Sequence, residues 1–440
     1  MGPETLAILC LVAFFVLLMV GIPVAFALGV SGFLFGYIGF GLNLFNLIPG
    51  RIYGVVTNYT LLAIPLFVFM GVMLEKSRIA EDLMDVIGYL ARGVNGGMAI
   101  GIILIGVLMG ASTGIVGATV VTLGMLTLPV LLRRGYDPGL AAGTICASGT
   151  LGQIVPPSLI LVLLSDITGQ PLGTLFAAAM VPGLMLAGLY CVYILLLGFL
   201  RPDLAPAIPD AERIQVSARE LLARVVKILL PPLALIFAVL GSIIGGVAAP
   251  TEAASMGALG SILVVALFRR LTWPLLRDVV TATTKITAMV MFILICAQVF
   301  SLAFRGLQGE NLVQDMMKFV PGDVAGKIVF LMLLLFVLGF FIEWIEISYI
   351  ALPLFLPIFV AAKVDMVWFA ILVCVNLQTS YLTPPFGWAL FFLKGVAPSA
   401  VSTRAIYLGV VPFIGVQIAA LALVFVFPQL ATWLPKAIGW

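Results

Sequence analysis

The sequence predicts an all-α polytopic membrane protein built as two inverted repeats, each carrying a re-entrant hairpin and a transmembrane helix broken at a proline pair. Three observations predict it. Hydrophobic residues make up 63% of the 440 and charged residues only 9%, which leaves too little polar surface to coat a water-soluble domain. Long apolar runs such as 172–200 show no strand-like alternation, and lipid admits only helices or closed barrels, so the spans are helices. Finally, informative positions of the first half recur in the second at one constant spacing. Pro156-Pro157 and Pro384-Pro385, Asp137 and Asp365, Leu128-Pro129 and Leu356-Pro357, Gly29 and Gly257, and Gly32 and Gly260 all lie 228 residues apart.

Taken in order, the first element, near 5–20, starts beside acidic Glu4 with no basic flank and reads as a span, not a signal peptide. Spans follow near 22–40 and 59–74. The charged stretch from Leu74 to Gly93 repeats its apolar residues at helical spacing and is expected to lie along the membrane surface. A paired segment over 97–132 turns at Ser112-Thr113-Gly114 and carries no charge before Arg133. Its first arm, about 15 residues, reaches only ~22 Å against a ~30 Å hydrocarbon core, so a re-entrant hairpin fits better than two crossings. A Pro-interrupted helix at 139–165 and a span at 172–200 complete the first repeat, residues 1–200. Residues 201–224, Pro-rich and charged, form a cytoplasmic linker. The same list then recurs in the second repeat, 225–440: spans near 225–244, 250–268 and 284–304, a surface piece at 309–320, a hairpin at 324–361, a broken helix at 366–393 and a span at 405–427.

Each half crosses the membrane an odd number of times, so the second is inverted and both termini share a face. Placing them outside leaves 16 of the 22 Lys and Arg residues on the inner side, as the positive-inside rule requires. The termini are therefore expected in the periplasm. With no histidine and five cysteines scattered singly through apolar segments, transition-metal and redox chemistry are excluded. No phosphate-binding loop occurs, so ATP is not hydrolysed by this chain. No nucleic-acid partner is expected; the medium is the lipid bilayer.

A proline pair within a span frees backbone carbonyls that lipid cannot satisfy. Freed carbonyls beside hydroxyls are ligands for hard monovalent cations such as Na⁺, and the half-helix N-terminus that follows attracts an anion. Candidate cation ligands at the first break are Ser148, Gly149, Thr150, Gly152 and Pro156, with Ser112 and Gly114 from the first hairpin tip. At the second break they are Gln378, Thr379, Ser380, Thr383 and Pro384. Glu343 and Glu346, spaced i, i+3 at the second hairpin tip, are costly at membrane depth and are expected to hold a coupling ion or a proton. Ser112, Thr113, Thr150, Gln153, Gln378 and Ser380 are candidate substrate ligands. The alternative for the groups at the breaks is ordinary packing, kinked helices whose polar side chains satisfy one another; for Glu343 and Glu346 it is an exposed outer turn, where the charge costs little. Asp166 and Lys394 fall about ten residues, ~15 Å, beyond the proline pairs and are placed near membrane surfaces, where solvation or snorkelling suffices. The pattern suits a secondary transporter, coupled to Na⁺ or alternatively to protons; a passive anion channel would need a continuous polar pore, and an enzyme lacks its constellation.

The stretches "LLAIPLFVFMGVMLEKS", "GASTGIVGATV", "GYDPGLAAGTICASGTLGQIVPPSLILV", "APTEAASMGALGS" and "NLQTSYLTPPFG" make the chain resemble the large membrane subunit, DctM type, of tripartite ATP-independent periplasmic (TRAP) transporters over essentially its whole length. The resemblance implies an elevator-type, Na⁺-coupled importer in the bacterial inner membrane, with hairpins and broken helices as the mobile part. It also implies two partners, a small membrane subunit (DctQ type) and a periplasmic substrate-binding protein (DctP type) that delivers a small organic acid such as a C4-dicarboxylate or 2-oxo acid. No cofactor beyond the coupling ion follows. Many members have aspartate where this chain has Glu343. "FIEWIEISYIALPLF" is similar to a branch linked with 2-oxo acids, lactate and related monocarboxylates.

Overall fold

In a segment surrounded by lipid, the backbone can pair only with itself, and the chain answers with helices throughout. The computed structural model describes residues 2–90, 93–113, 116–207, 217–385 and 387–440, and no strand occurs among them. The first half contains helices Pro3–Met19, Val24–Phe40, Asn43–Val56, Ala63–Lys76 and Ile79–Leu90, then hairpin 1 (Gly97–Thr113 and Val116–Arg133), broken helix 1 (Pro138–Thr150 and Leu159–Thr168) and Leu172–Leu200. The second contains Ala218–Ile244, Pro250–Leu267, Trp273–Gly306 and Gly309–Lys318, then hairpin 2. Its arms are Val324–Leu338 and a second helix that runs from Trp344–Glu346 through a π turn, Ile347–Ala351, into Leu352–Ala361. Broken helix 2 (Met366–Ser380 and Trp388–Val396), Thr403–Val426 and Gln429–Ala437 close the list. Seven of the described helices are long and apolar enough to cross a membrane, eight if one bent pair is counted as a span.

The 228-residue spacing carries into the elements: the second hairpin arms start at Val116 and Trp344, the broken helices at Pro138 and Met366. Both broken helices start from an aspartate cap. Asp137 accepts from the Leu140 amide at 2.8 Å, and Asp365 from the Val367 and Trp368 amides at 3.0 and 3.2 Å, so each helix begins where orphan amides find a carboxylate.

Several boundaries differ from the sequence expectation. Asn43–Val56 is helical and meets Thr60–Lys76 at a 54° bend, whereas the corresponding stretch of the second half is one continuous helix of 34 residues, Trp273–Gly306. Asn58, whose Oδ1 accepts from the Thr60 amide at 2.9 Å, turns the chain at the bend; the second half has Ile286 at that place and simply continues. The long helix extends past the expected 284–304 because Arg277, Asp278 and Lys285 end the hydrophobic run without ending the helix. Helix Ala218–Ile244 starts inside the expected linker, capped by Ser217, which accepts from the Glu220 amide at 3.2 Å. Residues 208–216 of that linker lie outside the described residues.

Close helix contacts use small residues, the usual means of approach in a membrane. Gly143 and Gly409 meet backbone to backbone, joining broken helix 1 to Thr403–Val426, and Gly110 meets Gly152, joining hairpin 1 to broken helix 1. Neither pair leaves room for a Cβ. The charged helices are fastened at their ends: Arg270 pairs with Asp82 at 2.9 Å and donates to the Ser77 carbonyl at 3.0 Å, while Arg305 pairs with Glu310 at 3.2 Å and donates to the Pro353 carbonyl at 3.0 Å.

Candidate functional site

Two residues related by the internal repeat can touch each other only where the repeat's symmetry axis passes. Thr150 and Gln378, 228 residues apart, do so: the Gln378 Nε2 donates to the Thr150 Oγ1 at 3.3 Å. Gln153 and its equivalent Tyr381 are neighbours as well. The equivalent cysteines reach across in the same way, Cys146 to the Ala389 carbonyl and Cys374 to the Gln153 carbonyl, both at 3.6 Å. The axis therefore runs between the two helix breaks. Each break is also tied to its own hairpin by equivalent residues, since Ser148 donates to the Ile102 carbonyl and Asn376 to the Met332 carbonyl, both at 2.8 Å.

The predicted cation ligands divide by what their protons do. Thr150, Thr379, Ser380 and Thr383 donate to the carbonyls of Ala147, Val375, Leu377 and Thr379 at 2.8, 3.1, 2.6 and 2.8 Å. A hydroxyl whose proton is spent on a helix carbonyl presents its oxygen lone pairs to the surroundings, which suits a cation. Ser148 spends its proton across elements, so it also holds hairpin 1 in place. Gly149 and Gly152 face hairpin 1 as contact points, the first against Val120 and the second against Gly110. Pro156 is buried and Pro384 half-buried, and the Pro156-Pro157 and Pro384-Pro385 bonds are both cis. Ser112 and Thr113 end the first arm of hairpin 1, Gly97–Thr113. Gly114 lies outside the described residues.

At the second hairpin tip Glu343 occupies the N-cap position, without a side-chain cap bond, of the helical segment that contains Glu346. Glu346 is 2% exposed and its Oε2 has no hydrogen-bond partner among the described residues. Tyr381 stands near both acids and against Gln153, whose amide oxygen and nitrogen are likewise buried without partners. Gln153, Tyr381, Glu343 and Glu346 thus form one buried polar cluster drawn from broken helix 1, broken helix 2 and hairpin 2. Ser380 borders it through Gly339 of hairpin 2, which packs on the serine side chain. Thr150 and Gln378 face elsewhere. They meet Gln417, whose Nε2 approaches the Thr150 Oγ1 at 3.5 Å, and Tyr190, on the side of Leu172–Leu200 and Thr403–Val426. Among the described residues no Lys or Arg is buried.

Sequence reasoning missed Asn376, Tyr381, Tyr190 and Gln417. The first two were within reach, because the 228-residue spacing relates them to Ser148 and Gln153. Tyr190 and Gln417 gave only the weak signal of single polar groups in long apolar spans. Asp166 is not simply solvated near a surface: it is half-buried and accepts hydrogen bonds from Asn58 and from the Tyr349 hydroxyl, the latter at 2.7 Å.

Comparison with known proteins gives a consistent result. Residues 11–430 match the family described as tripartite ATP-independent periplasmic transporter, DctM component. The chain is similar to the C4-dicarboxylate TRAP transporter large permease protein DctM of Pseudomonas aeruginosa, 31% identical over 395 residues, covering 88% of this chain and 89% of that one. It is also similar to the ectoine TRAP transporter large permease protein TeaC of Halomonas elongata, 26% identical, covering 95% and 96%. Sialic acid TRAP transporter permease protein SiaT of Haemophilus influenzae is 26% identical, covering 97% of this chain and 68% of its own length. Among solved structures, the YdaH transporter of Alcanivorax borkumensis superposes with a TM-score of 0.60 over 88% of each chain at 14% identity, a likeness of fold.

Proposed function

The chain belongs to the DctM component family of tripartite ATP-independent periplasmic transporters, a family of multi-pass membrane permeases and not of enzymes, and on that premise we propose that it imports a small organic acid by Na⁺-coupled secondary active transport. The observation that carries the reading is the polar cluster at the repeat axis. Unpartnered carboxylate and amide groups meet there near the Ser380 hydroxyl, whose proton is already committed, and among the described residues no cationic side chain is buried to balance a charge. Such a set asks for a cation. Na⁺, travelling as cargo, would be held at the breaks by Ser148, Thr150, Thr379, Ser380 and Thr383 together with the tip groups Ser112, Gly114, Glu343 and Glu346. The bound cation then makes room for an anionic substrate beside Gln153 and Ser380 that the two acids alone would repel.

Hairpins and broken helices move together as an elevator in this reading, against the remaining helices and a small membrane subunit. A periplasmic binding protein hands over the acid. Relatives are named for C4-dicarboxylate, ectoine and sialic acid uptake; the chemistry common to these substrates is a carboxylate. The test is uptake into proteoliposomes holding this chain, its small subunit and its binding protein, with Na⁺ and pH gradients imposed separately. Uptake that follows the inward Na⁺ gradient is expected. Uptake driven by a pH gradient without Na⁺ would replace the coupling ion by a proton, and downhill flux indifferent to both would make the chain a channel.

A further inference from the structure

One carboxylate outside the proposed transport pocket joins three elements. Asp166, near the end of Leu159–Thr168, accepts from the Asn58 Nδ2 on one oxygen and from the Tyr349 hydroxyl at 2.7 Å on the other. Asn58 sits at the bend between Asn43–Val56 and Ala63–Lys76 and is itself oriented by the Thr60 amide at 2.9 Å. Tyr349 lies in the π turn of hairpin 2, one turn beyond Glu346, and is 4% exposed. Asp166 also lines a cavity of ≈ 950 Å³ with Tyr59, Thr60, Ser165, Gln170 and Thr251. The carboxylate thus stands between that cavity and the arm that carries the acid pair.

The repeat supplies a control. At 228 residues' distance Asn58, Asp166 and Tyr349 correspond to Ile286, Lys394 and Val121. None of these three side chains can complete an equivalent bond, and Lys394 donates to Thr403 within its own repeat instead. Packing common to both halves therefore does not account for the trio. Hairpin 2 is fastened at a position where hairpin 1 has Val121; the second arm of hairpin 1 has a different tie, from Thr122 to the Glu75 carboxylate at 3.3 Å.

We propose that the chain Asn58–Asp166–Tyr349 is the latch of hairpin 2, with Asp166 and Tyr349 as positioning residues. When made, it holds the second arm against broken helix 1 and separates the 950 Å³ cavity from Gln153, Glu343 and Glu346. When broken, it frees the arm to swing and joins the two. The role of the pocket rests on the transport reading given above; the fastening itself does not.

The experiment measures opening without substrate or ion gradient. Cys10, Cys191, Cys296 and Cys374 are replaced by alanine, the fully buried Cys146 is kept as an internal reference, and Ser348→Cys places a thiol in the π turn beside Tyr349. The full chain with its small subunit is set in nanodiscs and exposed to an impermeant maleimide, and modification at each site is followed by mass spectrometry. Tyr349→Phe is expected to raise the rate at position 348 about fivefold, the shift in open population that one ordinary hydrogen bond provides. Asp166→Ala should raise it at least as much. Adding Tyr349→Phe to Asp166→Ala should raise it no further, because the bond is already gone. An unchanged rate at position 348, additive effects in the double variant, or a rise shared by Cys146, which would mean loosened packing, each overturns the latch. Failure of Na⁺ coupling would appear in the uptake measurement alone and leave this labelling result untouched.

Discussion

At the scale of single residues, the centre of this protein is furnished with neutral oxygen rather than cationic nitrogen, and the hydrogen-bond pattern says how that oxygen is used. Thr379 and Ser380 give their protons to the Val375 and Leu377 carbonyls within their own helix. Replacing both by alanine removes two of the proposed oxygen ligands while those carbonyls stay near the helix ladder, so the fold should lose less than about 1 kcal/mol. Na⁺ activation should weaken far more: the concentration for half-maximal uptake is expected to rise about tenfold, as the loss of ~1.4 kcal/mol of binding implies. Ser148→Ala combined with Thr150→Ala differs in kind, because Ser148 reaches the Ile102 carbonyl of hairpin 1. That variant should lower the melting temperature in detergent as well as the Na⁺ response. Unchanged Na⁺ activation in both double variants would remove the helix breaks from the ion path.

At the scale of elements, the proline pairs decide where backbone amides are missing. Pro384 and Pro385 supply no N–H in succession, so Met366–Ser380 cannot close its ladder into Trp388–Val396. With Pro384→Ala and Pro385→Ala both amides return and the helix can extend toward the left-handed Gly387, φ +42°, competing for the Ser380 and Tyr381 carbonyls that accept from the Thr383 and Ala389 amides at 3.3 and 3.2 Å and closing the break at which the ion is proposed to bind. Na⁺-driven uptake should then disappear while co-purification with the small subunit persists; retained Na⁺ activation would show that the break is only a kink. The breaks and the repeat were legible in the sequence because each is written in residues with a strong local effect, Pro, Asp and Gly at a fixed spacing. The bend at Asn58 and the ties through Tyr190 and Gln417 were not. Hydropathy reports how a segment partitions into lipid, and it is silent on which neighbour a buried hydroxyl or amide meets. The 34-residue helix was cut short in the sequence reading for the same reason, since a charge ends an apolar run without ending a helix.

At the scale of the whole molecule, an inverted duplication would make both hairpins equivalent, and the chain departs from equivalence in its charges and in its contacts. The excess of Lys and Arg on one side predicts that a cysteine at position 203 reacts only from the cytoplasm and one at position 438 only from the periplasm; labelling of both from one face would end the inverted arrangement. A second consequence concerns the division of labour in the complex. Among the described residues no Arg or Lys is buried, and Glu346 is the only buried Asp or Glu. A carboxylate substrate in the pocket must therefore rely on hydroxyls, amides, half-helix N-termini and co-bound Na⁺, without the bidentate guanidinium fork that fixes carboxylates tightly. On the proposed reading such a site is expected to bind weakly and to tolerate different acids, with affinity and selectivity supplied before the substrate reaches the membrane. Uptake in proteoliposomes should then depend on the periplasmic binding protein at every tested substrate concentration below the millimolar range, the order at which contacts worth only ~4 kcal/mol begin to saturate. Exchanging the binding protein for one of different specificity that still docks should shift the transported acid without any substitution in this chain. Rapid Na⁺-driven uptake of free acid at micromolar concentration, or a substrate-bound structure with an Arg or Lys on the carboxylate, would place recognition in the membrane chain instead.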